Sequence, residues 1–150
     1  MKIGECCNRE VIVADKDTEV LDAARLMKEH HVGDVVIVEK RDGATRPAGI
    51  LTDRDLVVEV MAQEVPPNEV TAADVMSLEI TTVREDEGVW ETLEKMRDAG
   101  VRRMPVVDQD GSLVGLVTLD DLLDLFTEAL DNMTRLIKGE LRRESRQRKA

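Results

Sequence analysis

Apolar and polar residues along the chain change their period at regular intervals, and the same succession of changes is written twice. A short apolar run opens each round, Val11 to Val13 and then Ile80 to Val83. Helical spacing follows, with Val20, Leu21, Ala24 and Met27 on one stripe and Val89, Leu93 and Met96 on the next. Two β runs come after each stripe: Val35 to Glu39 and Ala48 to Leu51, then Met104 to Val107 and Leu113 to Val117. Asp42-Gly43 and Asp110-Gly111 lie between the members of each pair, and an Asp-Gly step between β-branched runs predicts a hairpin. A second helix is predicted to begin at Asp53 and at Leu119. The order is β-α-β-β-α, twice, in an α/β (α+β) fold. Pro66-Pro67, within the segment Gln63 to Asn68, cannot continue a helix and separates the rounds.

The rounds align residue by residue. Met27 falls on Met96 and Val32 on Val101, an offset of 69. After the first hairpin the offset is 66, because the loop Arg41 to Pro47 is three residues longer than its counterpart; Gly49 then matches Gly115, Thr52 matches Thr118 and Asp55 matches Asp121. Two copies are too few for a solenoid. They predict a pseudo-twofold pair.

Each third strand runs into one phrase, Gly49-Ile50-Leu51-Thr52-Asp53-Arg54-Asp55 and Gly115-Leu116-Val117-Thr118-Leu119-Asp120-Asp121. Thr-x-x-Asp at a helix start is close to a capping box, and capping alone would account for it. A helix N-terminus also suits phosphate, and a carboxylate beside it can accept both hydrogen bonds of a ribose diol. The phrase therefore carries a structural and a ligand-binding reading together.

These residues resemble a family. Residues 1–130 are similar to a pair of CBS domains, the regulatory modules named after cystathionine β-synthase. The likeness rests on the leading helical turn, the element order, the stretch Gly100-Val101-Arg102-Arg103-Met104-Pro105-Val106-Val107-Asp108 and both Gly-apolar-apolar-Thr-x-x-Asp phrases. It implies two repeats packed as one pseudo-twofold module, residues 1–62 and 71–130. Residues 63–70 would be the linker, and 131–150 an extended C-terminal helix with a basic tail. It further implies two clefts for adenosine ligands: AMP first, with ADP, ATP, NAD or S-adenosylmethionine as alternatives, and no cofactor required. One cleft would use Thr52 and Asp55, with Ile50, Ile80 and Thr81 around the base and Arg102, Arg103 and Pro105 opposite. The other would use Thr118 and Asp121 with Leu116, Val11 and Ile12, facing Gly33 and Asp34. Arginine suits phosphate and an aspartate repels it, so the clefts are expected to be unequal. Solvated basic turns are the plain alternative for Arg102 and Arg103.

Composition narrows the function. The chain has 150 residues and a formal charge of −11, with one Trp, one Phe and no Tyr. That argues against a nucleic-acid partner, which would need basic or aromatic surface. No apolar run approaches a membrane span, and the start Met1 to Glu5 lacks a signal peptide's apolar core, so a cytoplasmic protein is expected. Adjacent Cys6-Cys7 fits neither a zinc spacing nor a disulfide framework and reads as packing. His30-His31 reads as a helix end. Asp53, Asp55, Asp120 and Asp121 could hold Mg²⁺, but no base or nucleophile constellation accompanies them. The stripe Leu122, Phe126, Ala129, Met133, Leu136 and Ile137, with Val20, Leu21, Val89 and Trp90, offers more apolar surface than one sheet covers and predicts a homodimer. The expectation is a non-enzymatic adenosine-ligand sensor acting on a partner protein. A dimerisation module with vestigial clefts and a Mg²⁺-dependent phosphate enzyme are the alternatives.

Overall fold

The computed structural model describes residues 1–149. A 3₁₀ turn, Ile3–Glu5, leads into β1 (Val13–Ala14), α1 (Val20–His30), β2 (Asp34–Arg41), β3 (Ala44–Thr52) and α2 (Asp53–Asp55), which continues as a π-helical segment, Leu56–Met61. The second round is α3 (Ala72–Val75), β4 (Val83–Arg84), α4 (Val89–Ala99), β5 (Arg103–Val107), β6 (Leu113–Thr118) and α5 (Leu119–Gln147). Each round makes a three-stranded sheet, β1-β2-β3 or β4-β5-β6, with the first pair parallel and the second antiparallel.

The opening strands are shorter and later than the apolar runs predict. Val11, Ile12, Ile80 and Thr81 precede the ladder and are only partly buried, which frees them to line clefts. The first hairpin is tighter than predicted. Asp42 and Gly43 both take positive φ, 54° and 75°, so a two-residue turn joins Arg41 directly to Ala44. The supposed loop is therefore strand, and a bulge at Ile37/Val38 absorbs the register change near Pro47. The equivalent bulge in repeat two lies at Val106/Val107.

The two rounds are laced together by reciprocal contacts. Ile3 N donates to Glu87 O at 2.8 Å, and its counterpart Ala72 N donates to Thr18 O at 2.8 Å. Isolated bridges come in matching pairs: Lys2 with Gly88 and Thr71 with Glu19, then Asn8 with Leu116 and Ser77 with Ile50. Each leading turn thus adds to the other repeat's sheet. The cores follow suit: Ile3 lies buried among Val83, Met96, Met104, Val106, Val117 and Leu122, while Ala72 and Met76 lie among Ala23, Met27, Val35, Ile37 and Leu51. Cys6 and Cys7 pack against the first of these clusters, and burial raises both thiols, so they are packing groups.

Helix α5 runs unbroken through residue 130 and leaves the body. Its first turns bury Leu122, and Phe126 stacks on Trp90 with ring centroids 5.0 Å apart. Leu123, Leu130, Met133, Leu136, Ile137 and Leu141 are exposed. The apolar surface differs from the one expected: Val20, Val89 and Leu122 are buried inside the chain, whereas Val57, Val58 and Met61 of the π-helical segment join the exposed set. No helix among the described residues is long and apolar enough to cross a membrane.

Candidate functional site

Both phrases at the ends of β3 and β6 form full capping boxes. Thr52 Oγ accepts from Asp55 N at 3.2 Å and Asp55 Oδ2 accepts from Thr52 N at 2.8 Å. Thr118 and Asp121 repeat both distances, and Thr118 Oγ also donates to Asp121 Oδ2 at 2.8 Å. Capping engages only Oδ2 of each aspartate. The other carboxylate oxygen of Asp55 and of Asp121 has no hydrogen-bond partner among the described residues and is open to a ligand.

Beside each box lies a cleft. The first, about 450 Å³, is lined by Ile50, Thr52, Asp55, Ile80, Thr81, Arg102 and Arg103. The second, about 200 Å³, is lined by Val11, Ile12, Gly33, Asp34, Leu116, Thr118 and Asp121. The structure thus brings together every site residue predicted from the sequence except Pro105. That residue is buried in β5 opposite Leu116 and is not among the residues lining the cleft: it stands two residues further along the strand than Arg103, where β5 is covered by the core.

Sequence reasoning missed several wall residues. Cleft one also contains Asp53, Arg54, Ser77, Glu79 and Val101; cleft two also contains Asn8, Glu10 and Val32. Ser77, Glu79 and Val101 are the offset-69 counterparts of Asn8, Glu10 and Val32. The duplication held the signal: any residue at one cleft nominates its equivalent at the other. Gly49 and Gly115 also had a role that the pattern hid. A Cβ on Gly49 would stand 2.9 Å from Ser77 O, and one on Gly115 would stand 3.0 Å from Asn8 O, where the other repeat's leading segment crosses the strand.

The arginines differ from each other. Arg102 is solvated, with only a loose 3.5 Å pairing to Asp120. Arg103 is not a free counterpart to a distant Asp34: its Nη1 donates to Asp34 Oδ2 at 2.6 Å. These positions are equivalent in the two repeats, so the bond closes across the pseudo-twofold axis, and each partner lines a different cleft. Burial raises Asp34 above the usual carboxylate range, Arg103 pulling the other way. Among the described residues no group of His, Cys, Asp and Glu is placed to hold a metal ion.

Comparison with known proteins agrees with this architecture. The CBS domain family matches residues 3–62 and again 72–128. An uncharacterized protein of Methanopyrus kandleri is 42% identical over 125 residues, which cover 83% of this chain and 62% of that one, so the chain spans less than two thirds of this relative's length. The CBS domain-containing protein YhcV of Bacillus subtilis is 34% identical over 120 residues, 80% of this chain and 81% of its own. A CBS domain pair solved in complex with 5′-methylthioadenosine and S-adenosyl-L-methionine superposes with a TM-score of 0.72 at 26% identity, covering 84% of this chain and 99% of that one. The chain belongs to the CBS-domain family and carries two of its domains in tandem.

Proposed function

We propose that this chain is a non-enzymatic regulatory module that binds an adenosine-containing ligand in cleft one. The observation that carries the reading is the meeting of an uncommitted Asp55 oxygen with Arg54, Arg102 and Arg103 around one cavity of about 450 Å³. The carboxylate suits a ribose diol and the guanidinium groups suit phosphate. AMP fits best; ADP, ATP, NAD and S-adenosylmethionine are the wider set, and the solved pair that holds two adenosine compounds supports the class. Ile50, Ile80 and the main chain near Thr81 hold the base, so discrimination against guanine rests on backbone groups that the wrong edge leaves unpaired.

Ligand binding between the repeats biases their packing, and a partner protein reads the change. The module acts as a cytoplasmic homodimer, without nucleic acid or membrane. The exposed stripe of α5 is covered by a second copy, since the last twelve residues carry five basic and two acidic groups against an otherwise strongly acidic chain.

Thermal unfolding with a nucleotide panel tests the reading. A ligand at a hundred times its dissociation constant adds about 2.7 kcal/mol of stability. A chain that no adenosine compound stabilises is instead a dimerisation module with vestigial clefts. GMP competing as well as AMP rules out the pocket as described.

A further inference from the structure

Resting on the adenosine-ligand reading, we propose that the Arg103–Asp34 pair is a charge switch shared by the two clefts. An anionic ligand in cleft one draws Arg103 away, and the bared Asp34 makes cleft two a receptor for a nucleoside with a cationic substituent. The geometry leaves little choice. Arg103 lines cleft one and Asp34 lines cleft two, so the 2.6 Å bond between them spans both walls. The pair is partly shielded, with side-chain exposures of 33% and 18%, so bulk water screens each charge less than it would on the open surface. Cleft two has no basic lining residue, only Glu10, Asp34 and Asp121. Among the described residues that line cleft two, Asp34 is the carboxylate that a cation of the other cleft holds, through Arg103. Phosphate competes for that guanidinium with the one carboxylate now holding it.

Two consequences follow. One anionic ligand binds per chain, because cleft two repels the second. A cationic nucleoside in cleft two and an anionic one in cleft one strengthen each other, and by linkage the factor is the same read from either side. Calorimetry with AMP, adenosine and S-adenosylmethionine, whose methionine part carries a sulfonium, an ammonium and a carboxylate for a net charge of about +1, tests this on the full chain. In wild type, saturating AMP should tighten S-adenosylmethionine binding about fivefold or more. Asp34→Asn should bind AMP roughly three- to tenfold more tightly, bind adenosine unchanged and lose the coupling. Arg103→Gln should cut the preference for AMP over adenosine by about tenfold. AMP affinity unchanged or weakened in folded Asp34→Asn overturns the switch while leaving the ligand reading intact. An unchanged preference in Arg103→Gln does the same. Failure of AMP to bind wild type overturns both.

Discussion

The two clefts are built from one scaffold and end with different charges, one balanced and the other acidic. Thr52 and Thr118, Asp55 and Asp121, Val101 and Val32, and Glu79 and Glu10 occupy equivalent places, with apolar Ile50 matched by Leu116. The divergence in charge is concentrated at four positions: Asp53 against Leu119, Arg54 against Asp120, Arg102 against Gly33, and Arg103 against Asp34. The lining of cleft one consequently balances Arg54, Arg102 and Arg103 against Asp53, Asp55 and Glu79, while cleft two holds Glu10, Asp34 and Asp121 unbalanced. Duplication supplies the cavity wall twice, and a few charge changes on the rim give each cavity its own charge balance. At short range in a partly desolvated site, exchanging an arginine for an aspartate outweighs the shared framework.

The largest expected effect comes from removing the shared carboxylate on each side. Asp55→Ala should weaken AMP binding by about 1–3 kcal/mol, roughly tenfold to a hundredfold, through lost hydrogen bonds to the ribose. Asp121→Ala should weaken it far less, since cleft two lacks cationic lining residues. Calorimetry on both variants decides. Equal losses, or a larger loss for Asp121→Ala, would erase the electrostatic distinction.

A somewhat smaller effect should come from the glycines beneath the clefts. Ala at Gly49 presses on Met76 Sδ and Ser77 O, and Ala at Gly115 presses on Cys7 Sγ and Asn8 O. A thioether end can swing away, but the bridged backbone carbonyl cannot, so each change should destabilise by about 1–2 kcal/mol in denaturant unfolding. The pair also separates the clefts: Gly49→Ala should weaken AMP binding, and Gly115→Ala should leave it nearly intact. Matching losses of affinity would mean the repeats deform as one body.

Much of this was legible in the sequence because it was written twice. Period changes and the offset of 69 give the element order, and Thr-x-x-Asp marks the place of both clefts. Pro105 misleads because it stands two residues beyond Arg103 on a strand whose far part is wholly buried. The Arg103–Asp34 bond was hidden for a different reason. Sequence alignment shows that the residues are equivalent, but only the axis between the repeats makes equivalents touch. The hairpin loop was misjudged because an Asp-Gly turn closes in two residues and lets polar Thr45 and Arg46 pair as strand.

The proposed dimer offers a third test. Truncation after Leu130 removes Met133, Leu136, Ile137 and Leu141 together with the basic tail, but no cleft residue. It should raise the dimer's dissociation constant about tenfold or more while leaving AMP affinity within about twofold. Light scattering at graded concentration reads the first quantity and calorimetry the second. A full-length chain that is monomeric at micromolar concentration would leave the stripe to another protein. Loss of AMP binding on truncation would instead tie the clefts to the dimer.

The smallest effect probes the axis between the clefts by pH. Asp34 is held above the usual carboxylate range because burial, helped by Asp53, outweighs the pull of Arg103. The folded chain therefore holds this proton more tightly than the unfolded chain does. Its contribution to stability is fully present below the ordinary aspartate range and is lost as pH rises through the raised value. Asp34→Asn deletes that titration alone. Glu87 runs the other way, since the Lys95 ammonium and the Arg84 amide outweigh its own burial, but it is common to both chains and cancels in the difference. Wild type should accordingly gain on Asp34→Asn between pH 7 and pH 4, by at most on the order of 1 kcal/mol. Denaturation midpoints at a series of pH values measure the difference. A flat difference, or one that favours the variant on acidification, would mean that Arg103 fully compensates Asp34; the pair would then be too tight for phosphate to open.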